Sequence, residues 1–93
     1  MYVETRYSTF DAAFPADQYT DQANIAFNEK KYDRALYFYD QALKTVPFDK
    51  SNLYNRGICK KMLGNLKGAC EDWQTIRKLG SKEVDALLEK YCH

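Results

Sequence analysis

Three cysteines, Cys59, Cys70 and Cys92, and a single histidine, His93, are the residues of this chain with the widest chemical reach. Three thiolates and an imidazole would complete a tetrahedral zinc set. However, no two cysteines stand in a C-x-x-C chelate, and adjacent Cys92 and His93 cannot readily face one ion. No metal site is expected. As a nucleophile, any of these thiols would lack a positioned base, because the one His is the last residue. The sequence also offers no glycine-rich phosphate loop and no carboxylate pair that looks buried. The chain reads as non-catalytic and free of cofactors. Lys60, Lys61, Lys67, Arg77 and Lys78 lie near aromatic residues, as on a single-strand nucleic-acid surface, but Glu71 and Asp72 interrupt them. With a formal net charge of only +1, nucleic acid is not an expected partner.

Ninety-three residues with 45% hydrophobic content fit one small soluble domain with a single thin core. No apolar run approaches the roughly eighteen residues that cross a bilayer, and MYVETRYSTF lacks the apolar stretch of a signal sequence. The expectation is no membrane insertion, with a cytoplasmic location by default. Charge is uneven along the chain: residues 1–49 carry a balance of −3 and residues 50–93 a balance of +4. Such an asymmetry can draw copies together head to tail, or is simply spread over solvated helix faces.

Glycine and proline punctuate the chain sparsely. Pro15, Pro47, Gly64 and Gly80 separate stretches with apolar residues at three- and four-residue spacing, which predicts helices over 17–29, 33–45, 50–63, 66–79 and 82–91. The fold class is therefore all-α. Short connections make successive helices antiparallel, and Ser81 is placed to cap the fifth.

Within KKYDRALYFYDQALKTVP, residues 30–47, Ala35 and Ala42 share one face and Tyr39 reaches out between them. Sliding the chain by thirty-four residues sets Ala35 on Ala69, Tyr39 on Trp73, Tyr32 on Leu66, Ala23 on Gly57 and Tyr19 on Leu53. Small residues facing large rings let neighbouring helices approach closely and interlock. This pattern resembles the tetratricopeptide repeat, a thirty-four-residue helical hairpin with small residues at set places and a closing proline. The resemblance implies a repeat over 16–49, a second over 50–83, a capping helix at about 82–91 and an amino-terminal arm, 1–15. The hairpins would stack as a short right-handed superhelix. In the second copy Ile76 replaces the third small residue and Ser81 the proline, as suits a terminal repeat.

The resemblance further implies a protein-binding scaffold whose concave groove takes a peptide or a partner helix. Its lining would come from Thr20, Asn24, Phe27 and Asn28 on the first helix and from Tyr54, Asn55, Ile58, Lys61 and Met62 on the third. The amides suit a peptide backbone, the apolar groups its anchors and Lys61 an acid. Asn24 and Asn55 also match a variant of the family that binds chaperone carboxylate tails. Thr20 stands where that variant has Lys, and its third, cation-bearing repeat is lacking, so that ligand is not expected.

Two features remain. Three cysteines cannot all pair within one chain, but Cys70 and Cys92 lie at similar distances before and after the turn at Gly80 and can meet. A bond there implies a periplasm or another oxidising compartment, and the alternative is that both are buried thiols packed as small apolar residues. Tyr2, Tyr7, Phe10 and Phe14 make the arm more aromatic than a tether requires. It could cover its own groove, or enter a second copy so that the chain works as a self-assembling homodimer, the alternative being a flexible tail.

Overall fold

A computed structural model of the protein describes residues 16–92. The arm, the role expected of it and His93 lie outside the described residues. Five helices follow one another: α1 (Ala16–Asn28), α2 (Tyr32–Thr45), α3 (Lys50–Met62), α4 (Leu66–Lys78) and α5 (Asp85–Tyr91). Helices α1 with α2 and α3 with α4 form antiparallel hairpins, α2 packs on α3 to join them, and α5 lies on α4.

The two hairpin turns are built alike. At the end of α1 the Lys31 amide reaches back to the Ala26 carbonyl at 2.9 Å, and at the end of α3 the Asn65 amide reaches the Lys60 carbonyl at 2.7 Å. Both are helix ends closed by one left-handed residue, which is Gly64 (φ 91°) in the second hairpin and Lys30 (φ 61°) in the first. The equivalent positions differ in residue type but not in conformation. Helix α2 starts without a side-chain cap, whereas α3 and α4 each have one. Asp49 caps α3 by accepting from the Asn52 amide at 3.0 Å, and Asn65 caps α4 by accepting from the Gly68 amide at 2.9 Å.

The core forms two apolar clusters that share helices. One holds Ala23, Ala26, Ala35, Tyr39 and Cys59; the other holds Leu43, Leu53, Ala69, Trp73, Ile76 and Val84. Cys59 of the second hairpin completes the first cluster, and Leu43 of the first hairpin completes the second. The hairpins therefore interlock rather than merely touch. Tyr39 and Trp73 are wholly buried, and Ile76 fills the place where the first hairpin has a small residue.

Gly57 shows why the socket must be small. A Cβ added there would lie 2.9 Å from two carbons of the Trp73 indole, a ring walled in on every side and unable to swing away. Gly57→Ala is expected to destabilise the domain by about 2 kcal/mol, because the overpacking exceeds the helix propensity that alanine gains. Urea unfolding followed by circular dichroism measures it. An unchanged or raised midpoint would contradict the packing.

The fifth helix departs from expectation. It starts at Asp85 rather than at residue 82, and Ser81 does not cap it. Val84 is drawn completely into the second cluster, so residues 82–84 bend into a turn closed by the Asp85 amide on the Lys82 carbonyl at 3.1 Å. Burial of one side chain sets the boundary. The Ser81 hydroxyl instead meets Glu83 Oε2 at 2.9 Å.

Candidate functional site

The nine groove candidates fall on two neighbouring helices, Thr20, Asn24, Phe27 and Asn28 on α1 and Tyr54, Asn55, Ile58, Lys61 and Met62 on α3. One hydrogen bond ties these helices directly, and a second fixes an asparagine of the first. Asn52 Nδ2 of α3 donates to Thr20 Oγ1 of α1 at 2.8 Å, and the buried Tyr39 hydroxyl of α2 donates to Asn24 Oδ1 of α1. Tyr39 therefore fixes the orientation of the Asn24 carboxamide.

The remaining candidates divide between core and surface. Phe27 stands edge-on to Tyr32 at 5.7 Å and to Tyr39 at 6.5 Å, half-buried against the first cluster. Tyr54 and Ile58 are half-buried against the second. Lys61 Nζ sits 4.7 Å above the ring of Tyr91, which brings α5 to the edge of this face. Asn28 and Met62 are exposed. Tyr54 and Asn55 also line a cavity of about 240 Å³ with Lys50, Ser51 and Glu83.

Burial governs the titration of the groups beneath this face. It pushes the Tyr39 phenol from 10.0 up to about 12 and the Cys59 thiol from 9.0 up to about 11. Each group must stay neutral in the fold, whereas the unfolded chain ionises it at lower pH. Their contribution is complete below pH 9 and is lost as pH rises through 11 and 12. Stability is expected to hold to about pH 9 and then fall by roughly 2–3 kcal/mol per group. Tyr39→Phe should remove the upper part of that fall, as urea titrations at stepped pH would record. A variant with the parent's full alkaline loss would contradict the assignment.

Sequence reasoning missed one constellation. Asp72, treated there as an interruption of a basic patch, is buried and takes the Arg56 guanidinium in a two-pronged grip, Nε to Oδ2 at 2.9 Å and Nη2 to Oδ1 at 2.7 Å. Lys60 Nζ reaches the same carboxylate at 3.2 Å, and Arg56 Nη1 reaches Asp40 at 2.9 Å. The Asp72 hydrogen bond leads in raising the Arg56 pKa further. Equal sixteen-residue steps from Asp40 to Arg56 to Asp72 were the available signal, since they align one position on each of three successive antiparallel helices. Lys60 is thus engaged by Asp72, and Arg77 is paired with Asp85 at 2.8 Å. Among the described residues no three metal-ligating side chains come together, and no helix is long and apolar enough to cross a membrane.

Antiparallel hairpins whose rings fill small-residue sockets at a fixed period define a helical-repeat protein. Comparison with known proteins agrees. Human Tetratricopeptide repeat protein 4 is 34% identical over 83 residues, which cover 84% of this chain and 21% of that protein. Mouse DnaJ homolog subfamily C member 7 is 31% identical over 84 residues, 89% of this chain and 17% of that protein. U-box domain-containing protein 70 of Oryza sativa subsp. japonica is 37% identical over 75 residues, 81% of this chain and 9% of that protein. No family model matches the chain, and no solved structure matches it significantly. The chain spans about a fifth or less of the length of these three relatives. It is a tetratricopeptide-repeat-like domain.

Proposed function

We propose that this domain binds a peptide or a partner helix across the face shared by α1 and α3, without catalysing a reaction. The binding unit is residues 16–93, with hairpins 16–49 and 50–83 as its two repeats. One observation carries the reading. The buried Tyr39 hydroxyl donates to Asn24 Oδ1, so the Asn24 carboxamide keeps its N–H donors for a ligand, and Asn55 offers a second carboxamide from α3. Carboxamide groups complement the main chain of a bound peptide. Met62 and the open edges of Phe27, Tyr54 and Ile58 supply apolar contact near them.

Selection from a displayed peptide library against the immobilised protein would identify ligands. The Asn24→Ala/Asn55→Ala double variant is then expected to bind a selected peptide roughly ten- to thirtyfold more weakly, the loss of two hydrogen bonds of about 1 kcal/mol each. Helical content should be unchanged. Equal affinity in a folded double variant would sink the proposal.

A further inference from the structure

We propose that Cys70 and Cys92 are a thiol–disulfide exchange site that latches α5 onto α4 and releases it on reduction by a dithiol. This goes beyond the binding reading and does not depend on it. The two Cα atoms are 5.7 Å apart with the Sγ atoms in bonding contact, joining the second turn of α4 to the residue that ends α5. Both cysteines are only half-buried, and both line a cavity of about 400 Å³ shared with Lys67, Glu71 and Tyr91. A small dithiol can reach them there. The third thiol is of a different kind, since Cys59 is wholly buried in the first cluster and its thiol is pushed up to about 11.

Apart from the half-exposed Arg77–Asp85 ion pair at its first residue, the helix being latched has few other ties to α4. It is seven residues long and buries none of them fully, whereas an isolated helix of that length does not persist in water. Its anchors lie just beyond its two ends, Val84 in the core before it and Cys92 after it. Between them Leu87, Leu88 and Tyr91 are half-buried, with Tyr91 6.2 Å from Trp73 and beneath Lys61. Of the two anchors, only the second can be undone by chemistry.

Opening it proceeds by ordinary exchange. A thiolate of the dithiol attacks one Sγ, the sulfur–sulfur bond breaks, and the other cysteine departs as a thiolate that takes up a proton. The second thiolate of the reductant then attacks the mixed disulfide and frees the first cysteine. Two electrons and two protons pass to the protein, and the dithiol becomes a disulfide. With the carboxyl-terminal anchor gone, α5 unfolds locally, and Lys61 loses the Tyr91 ring.

The test is hydrogen exchange by mass spectrometry on the full chain, air-oxidised and then reduced with dithiothreitol, with alkylation under denaturing conditions to count thiols. One alkylated thiol is expected in the oxidised protein and three in the reduced protein. Amides 85–91 should exchange at least tenfold faster after reduction, while those of α2 and α3 keep their protection. Cys92→Ser should show the fast pattern under both conditions. The proposal is overturned if the air-oxidised chain already yields three alkylated thiols, or if α5 exchanges equally in both states. It is overturned equally if Cys92→Ser protects α5 like the oxidised parent, or if reduction strips protection from the whole molecule.

Discussion

Trp73→Ala is expected to lower the unfolding free energy by about 4 kcal/mol, the largest single-residue effect in the domain. The indole is wholly buried, packs with Ala69, Leu53 and Ile76, and donates Nε1–H to the Tyr54 carbonyl at 3.3 Å. A chain of this size is held by roughly 5–14 kcal/mol, so the variant would retain only part of its stability and melt about 15–30 °C lower. The same ring explains the intolerance at Gly57. With the indole gone, Gly57→Ala should no longer be destabilising, and the double-mutant cycle should show a coupling of at least about 1 kcal/mol. Additive effects would mean that the two residues do not interlock.

The second large effect concerns charge. Asp72→Asn is expected to destabilise by about 3 kcal/mol, because it leaves Arg56 and Lys60 partly desolvated beside a neutral amide. Asp40 grips the same guanidinium, but its side chain is 45% exposed against 5% for Asp72. Water already screens that pair, so Asp40→Asn should lower stability by under about 1 kcal/mol. Thermal melts of the two variants measure the contrast. Equal losses would contradict the assignment of burial as the deciding factor.

Most of the fold was legible because it rests on local pattern. Helices α2 and α4 follow from apolar spacing, and their pairing follows from alanines and a large ring recurring at one period. The start of α5 was not legible, since the burial of Val84 is a tertiary event that leaves no mark in a short window of sequence. The burial of Asp72 was not legible for a related reason. Among Lys60, Lys61, Lys67, Arg77 and Lys78 it looks like a solvated acid, and only the packing of α3 on α4 turns it inward. Asn24 and Asn55 could be placed on their helices from periodicity, but the partner of Asn24, Tyr39, lies on another helix, fifteen residues further on. A long-range hydrogen bond of that kind needs the fold before it can be seen.

The most direct measurement of the central claim is a heteronuclear NMR titration of the ¹⁵N-labelled domain with a selected peptide, following backbone amides and Asn side-chain NH₂ groups. Saturable shifts are expected at Asn24, Asn28, Asn55 and Met62, with Lys44 and Gln74 unmoved. Shifts confined to α2 and α4, or unchanged signals from both asparagine side chains at saturation, would contradict it.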